Sequence, residues 1–203
     1  FVPVSLVLIV LREPLVQLAF QRGKFTRDSV ALTVGPFAFY AAGLTVVALE
    51  GLLMRFYFAV KNTVTPALVG AGCVLVHLGV ILAFRESLQN GSMALASTVS
   101  KGVKVAVLTG LLAGVLPGLQ GRRNALFLGK MLVAACATAG VLLLVRRAAD
   151  GALPEAETLG TLMKLAILAA RIAIPAAAGG AVFLAAAWLL RLEEAAALGS
   201  WIG

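Results

Sequence analysis

Long apolar runs separated by short polar breaks dominate the chain. The runs extend over about Phe1–Phe20, Val30–Met54, Pro66–Phe84, Ser92–Leu116 and Ala125–Val145, with a sixth inside Thr161–Leu190. Each approaches the roughly twenty apolar residues that a helix needs to cross a bilayer core. None alternates residue by residue, as the short strands of a transmembrane barrel do. The pattern therefore predicts an all-α, polytopic transmembrane protein of about six helices.

The breaks carry their own local chemistry. The most informative is Arg55-Phe56-Tyr57-Phe58-Ala59-Val60-Lys61-Asn62-Thr63-Val64-Thr65-Pro66. Asn62 and Thr63 favour a turn through side-chain-to-backbone hydrogen bonds. Thr65 is biased away from the α region by the proline after it, and Pro66 suits a first helical turn, where its missing N–H would have no partner. This segment is expected to close one membrane helix and open the next. Gln21–Ser29 forms the first loop, with Asp28 or Ser29 as a cap. Arg85–Gly91, the basic stretch Gln120–Asn124 and the surface connection Arg146–Glu155 separate later helices. Pro117 stops the fourth run, Arg191–Glu194 ends the sixth, and Trp201 is placed like an interfacial anchor.

Inside the runs, Pro14 should kink the first helix and leave a carbonyl that needs a partner from a neighbour. Pro36 falls early in the second run, and Pro175 with Gly179-Gly180 invites a bend in the sixth. Gly110, Gly114 and Gly118 recur at four-residue spacing, and the first two suit close approach of another helix.

Composition agrees with the pattern: the 203 residues are 61% hydrophobic and the mean hydropathy is +1.02. The net charge of +8 comes largely from basic residues in the breaks, where Arg22, Lys24, Arg122 and Arg123 can meet lipid head groups. No basic face on a soluble module points to nucleic acid. Lys and Arg divide evenly between the two sides, so charge does not set the orientation. Cys73 and Cys136 sit in separate apolar runs and lack metal spacing, which makes them small buried hydrophobes. The chain begins at Phe1, already apolar and without a basic leader, and is expected to be a piece of a longer protein rather than to start with a signal peptide.

Four motifs share one order and spacing. Phe20-Gln21-Arg22-Gly23-Lys24-Phe25-Thr26-Arg27-Asp28, in the first loop of this chain, resembles an F-x-x-G-x-F-T-x-x-D loop motif of the MurJ (MviN) family, the lipid II flippases. Phe56–Pro66 resembles a second connection of that family, with Phe58 as an insertion and Asn62 where the family has Asp. Tyr40-Ala41-Ala42-Gly43-Leu44 matches the helix between them, and Gly91 with Ala94-Leu95-Ala96-Ser97 resembles the start of a later helix. The resemblance runs over about Glu13–Ser100; beyond Gly121 it rests on helix count and hydropathy. It implies the ninth to fourteenth helices of a fourteen-helix exporter. Residues 1–120 would be four helices of the C-terminal lobe, and 121–203 the terminal pair that grooves the lipid tail. The implied substrate is lipid II, a polyprenyl-pyrophosphate-linked disaccharide-peptide, moved across the cytoplasmic (inner) membrane by alternating access. The partners would be that lipid, membrane lipids and the missing N-terminal helices. A flippase for another polyprenyl-pyrophosphate-linked saccharide and a non-transporting scaffold for cell-wall synthesis are the alternatives.

Such transport makes no covalent bond, and the sequence carries no catalytic constellation, metal-ligand cluster or phosphate-binding loop; neither enzyme activity nor cofactor is expected. Charged residues within the apolar runs are the candidates for function. Lys101 and Lys104, at i and i+3, share a helix face and could meet the pyrophosphate or the head group; the plainer alternative is that they snorkel or pair with an acid such as Glu50. Arg12 is a third substrate-binding candidate. Glu13 follows Arg12 and points about 100° away from it on a helix. Glu13, Glu50 and His77 are candidates for gating or coupling, against structural ion pairing for Glu50 and neutral packing for His77.

Overall fold

The computed structural model describes residues 1–21, 24–115, 121–152 and 161–189. The described residues form seven helices and no strand: α1 (Val2–Val10), α2 (Arg12–Phe20), α3 (Arg27–Ala59), α4 (Val64–Leu88), α5 (Gly91–Val115), α6 (Gly121–Ala152) and α7 (Thr161–Leu189). Helices α3 to α7 are each long and apolar enough to cross a membrane, and α1 with α2 passes the same test as a pair bent by 75°. The protein is all-α and polytopic. Pro117, Gly118, Pro154, Glu155, Arg191–Glu194 and Trp201 lie outside the described residues, as do Arg22 and Gly23 of the first loop; so do the side chains of Arg122 and Arg123.

The helices pack as two units. One holds Phe1–Ser5 and Arg27–Leu119, the other Leu6–Thr26 and Gln120–Gly203.

In the first unit α5 lies against both α3 and α4. Lipid supplies no hydrophobic drive between helices, so close backbone approach and interhelical hydrogen bonds carry such contacts. Helix α5 meets the need with small side chains: Ala94 and Ala96 are fully enclosed, and Ser92 and Ser100 are buried. Thr98 Oγ1 donates to the Phe39 carbonyl of α3 at 2.8 Å. Gly43 makes this approach possible, because a Cβ there would stand 2.5 Å from Thr98 Oγ1. One end of the same contact is pinned by the buried Tyr57 hydroxyl, which donates to the Leu108 carbonyl at 2.9 Å. Gly110 and Gly114 do not serve the expected role: a Cβ at either would meet nothing within 4 Å. Their four-residue spacing puts them on one face of α5, but the face that packs is defined by Ala94, Thr98 and Leu108.

The turn between α3 and α4 follows the expected chemistry with one shift. Lys61 adopts a positive φ of 58°, and the N–H of Asn62 reaches the Tyr57 carbonyl at 2.9 Å, closing α3. Asn62 Oδ1 accepts the Thr65 N–H at 3.1 Å and caps α4. Thr65 is helical, two positions into α4, rather than extended. The bias against the α region before proline is outweighed by this cap, while Pro66 still occupies the first turn. Other boundaries move outward: α3 runs on to Ala59, α4 takes in Arg85–Leu88 of the expected loop, and α5 starts at Gly91. Helix α3 begins at Arg27, so Asp28 and Ser29 lie in its first turn. Gly121–Asn124 and Arg146–Ala152 belong to α6 rather than to loops.

In the second unit α7 packs against α6 and α2. Val10, Leu11 and Leu142 form its core with Leu15, Ile172 and Ala176 around them, and Leu18 lies against Ile167 and Leu168. Gly179 admits Leu142, whose Cδ2 would be 2.6 Å from an added Cβ. Helix α7 continues through Pro175 as one element.

The Gly43 contact yields a direct prediction. Gly43→Ala should destabilise the detergent-solubilised full-length protein by about 1–3 kcal/mol, the range for overpacking a tight contact. Gly51→Ala on the open face of the same helix, with nothing within 4 Å, should leave the melting temperature unchanged or higher. Equal effects of the two changes would contradict this packing.

Candidate functional site: a charged pocket in the membrane-spanning first unit

Helix period places Gly70, Cys73, Val74 and His77 on one side of α4, and Ser100, Lys101 and Lys104 on one side of α5. With Glu50 from α3, these residues line a pocket of about 220 Å³. That is below the roughly 300–1,000 Å³ of most small-molecule sites. The pocket can take a compact polar group and not a whole glycolipid.

The electrostatics inside are uneven. Lys104 Nζ lies 2.7 Å from Glu50 Oε1, and both side chains are largely shielded, at 15% and 18% exposure. The two form an ion pair with a charge-assisted hydrogen bond. Gly70 lies beside the lysine: a Cβ there would be in ordinary contact with Lys104 Nζ, at 3.6 Å, so an alanine would fit. Lys101, half-buried one turn earlier, has no ion-pair partner among the described residues. His77 Nδ1 stands 3.4 Å from Ser100 Oγ, a long contact, and that hydroxyl also donates to the Ser97 carbonyl at 3.2 Å. The balance is one neutralised pair, one uncompensated cation, and an imidazole and hydroxyl beside them. Such a lining favours an anionic, oxygen-rich group over a cation.

Of the residues singled out in the sequence, Lys101, Lys104, Glu50 and His77 come together here. Arg12 and Glu13 belong to the second unit and take no part in the pocket. Arg12 is exposed, and Glu13 Oε2 pairs with Arg146 Nη2 at 3.2 Å. Sequence reasoning missed Ser100, Cys73 and Gly70 as lining residues. Cys73 is buried as expected, and it also faces the pocket. Its i, i+4 spacing to His77 was the signal available. Cys136 is exposed rather than buried, on a face of α6 outside the packing core.

The Glu50–Lys104 pair generates a second prediction. Removing one partner leaves a shielded charge without its counter-ion, a loss on the order of 1–3 kcal/mol or more. Glu50→Gln alone and Lys104→Met alone should each lower the melting temperature of the full-length protein, and the double change should lose less than the sum. Simple additivity in this double-mutant cycle would contradict the pairing.

Known proteins place the chain. The sequence model described as "Lipid II flippase MurJ" matches residues 1–154. A protein named "Probable lipid II flippase MurJ" from Bdellovibrio bacteriovorus is 30% identical over 118 residues, covering 58% of this chain and 23% of that protein. One of the same name from Thermotoga maritima is 37% identical over 100 residues, 48% of this chain and 21% of that protein. Another from Rhizobium meliloti is 30% identical over 106 residues, 52% and 20%. The chain thus spans about a fifth of the length of the curated relatives it matches. With its family model covering four of its membrane-spanning helices and the bent pair, the chain belongs to the MurJ lipid II flippase family.

Proposed function

We propose that this chain is part of a transporter that moves lipid II, the lipid-linked peptidoglycan precursor, across the bacterial cytoplasmic membrane by alternating access. In this reading residues 1–120 contribute to the C-terminal lobe and 121–203 supply the terminal pair that borders the lipid tail. The observation that carries the reading to a site is the pair of lysines, one turn apart, opening on a pocket among membrane-spanning helices, with a single lining carboxylate that pairs with one of them. Family membership supports the substrate class.

The work required is physical. A pyrophosphate-linked head group must leave water, and a dianion entering a low dielectric faces a large desolvation penalty unless cations meet it. Lys101 stands ready as such a cation. Lys104 is held by Glu50 and becomes available when an anion competes with that carboxylate. Glu50 thereby leaves the empty pocket with one uncompensated positive charge instead of two and weakens the grip on the bound head, which a carrier needs in order to release its cargo. His77 and Ser100 add hydrogen-bonding groups at the rim. No bond is made or broken, so the residues act by binding and release and not by catalysis.

The test is complementation. The full-length gene should sustain growth of a bacterium whose own lipid II flippase is depleted. The change of both Lys101 and Lys104 to alanine should abolish rescue in protein that still reaches the membrane, while Lys101→Arg keeps it. Rescue that survives the double alanine change would remove the pocket from the mechanism. Absence of rescue by well-expressed wild type would shift the substrate to another polyprenyl-pyrophosphate-linked saccharide or the role to a scaffold.

A further inference from the structure

The break between α1 and α2 has an unusual hydrogen-bond account. Pro14 lies in the first turn of α2 and has no N–H. The acceptor it would have served is the carbonyl four residues earlier, that of Val10. The ladder is intact on either side: the Leu11 N–H reaches the Val7 carbonyl at 2.9 Å, and the Leu15 N–H reaches the Leu11 carbonyl at 3.0 Å. Val10 therefore carries a carbonyl without a helical donor. Val10 is also buried, in a broken helix pair long and apolar enough to cross a membrane, where water offers little substitute.

Arg146 of α6 fills the gap. Its Nη1 donates to the Val10 carbonyl. Its Nη2 bonds Glu13 Oε2 at 3.2 Å. Its Nε lies 3.5 Å from Asp150 Oδ2, one turn along the same helix. Asp150 in turn lies 3.8 Å from Arg171 Nη1 of α7. Each of the three guanidinium nitrogens faces a different acceptor: the orphaned carbonyl, the acid beside it on α2, and the acid that steers the arginine. A lysine's three N–H donors radiate from a single nitrogen and do not reproduce the spread of Nη1, Nη2 and Nε over these three acceptors.

We propose that Arg146 is a positioning residue that takes over the hydrogen bond Pro14 withholds from Val10 and so holds the α1–α2 break at its bend, with Glu13 and Asp150 orienting the guanidinium. The assignment goes beyond the transport reading. It gives Glu13 a role as orienter of Arg146, and it makes the proline and the arginine a matched pair: the arginine is needed because the proline is there.

That dependence sets the experiment, performed on the full-length protein in detergent. Arg146→Ala should lower the melting temperature by several degrees, and Arg146→Lys should lose part of that. In Pro14→Ala the new N–H can serve the Val10 carbonyl, so Arg146→Ala in that background should lose distinctly less than in the wild type. Undiminished loss would overturn the proposal, as would a full reproduction of the loss by Glu13→Gln with Asp150→Asn, which would make the ion pairs the whole effect. A second measurement reads the bend itself. Spin labels at Leu8 and Ala19, one on each side of the break, within one unit and neither of them buried, should give one narrow distance in the wild type. The distance should broaden in Arg146→Lys and, where it folds, in Arg146→Ala, and become narrow and longer in the double change with Pro14→Ala, as the helix straightens. An unaltered distance in both arginine variants would overturn the proposal independently of any transport assay.

Discussion

A bilayer has no water to complete a protein's hydrogen bonds, and most features of this chain answer to that constraint. Its helices satisfy their own backbones, and wherever the ladder fails a side chain must supply the missing partner. At Val10 that partner is Arg146. At the start of α4 it is the Asn62 side chain. Charges obey the same rule. Lys104 is met by Glu50, Glu13 by Arg146, and Asp150 by Arg146 and Arg171. Against this background, Lys101, which lines a pocket without a carboxylate partner among the described residues, is an exception that invites a ligand.

The first unit depends on α5, which packs and lines the pocket at once. Toward α3 it offers Ala94, Thr98 and Leu108, a narrow surface that lets Gly43 come close and lets hydroxyls bond backbone carbonyls. It also carries Ser100, Lys101 and Lys104 to the pocket. Lys101 is seven residues from both Ala94 and Leu108 and lies on the same stripe of the helix, with Ser100 and Lys104 to one side of it, so the tight contact fixes the rotation that aims the lysines. The proposed anion site is then a consequence of how α5 is clamped, with Glu50 of α3 holding Lys104.

Much of this was legible in the sequence, because bilayer thickness imposes a length on every span and because turn chemistry is local. The runs beginning near Val30, Pro66, Ser92, Ala125 and Thr161 all correspond to observed helices. The Asn62–Pro66 turn was readable, although the helical state of Thr65 required knowing that the cap would form. The need for a donor near Pro14 was readable from the proline alone, but its identity was not. Arg146 lies 136 positions away in a stretch whose charges suggested a surface loop, and only the helix α6 carries it back to α2. Gly110 and Gly114 misled for a related reason: spacing shows that residues share a face, and tertiary packing decides which face is used. The pairing of Lys104 with Glu50 rather than Lys101 was likewise open, since both lysines lie on the same side of α5.

The central claim is that Lys101 faces a hydrated pocket that receives the anionic part of the transported lipid. The most direct measurement replaces Lys101 by cysteine in the full-length protein, with its other cysteines removed, and follows labelling by a water-soluble, negatively charged thiol reagent in membranes. The account predicts labelling that slows when lipid II is added. No labelling, in protein that labels readily after denaturation, or labelling indifferent to lipid II, would contradict it.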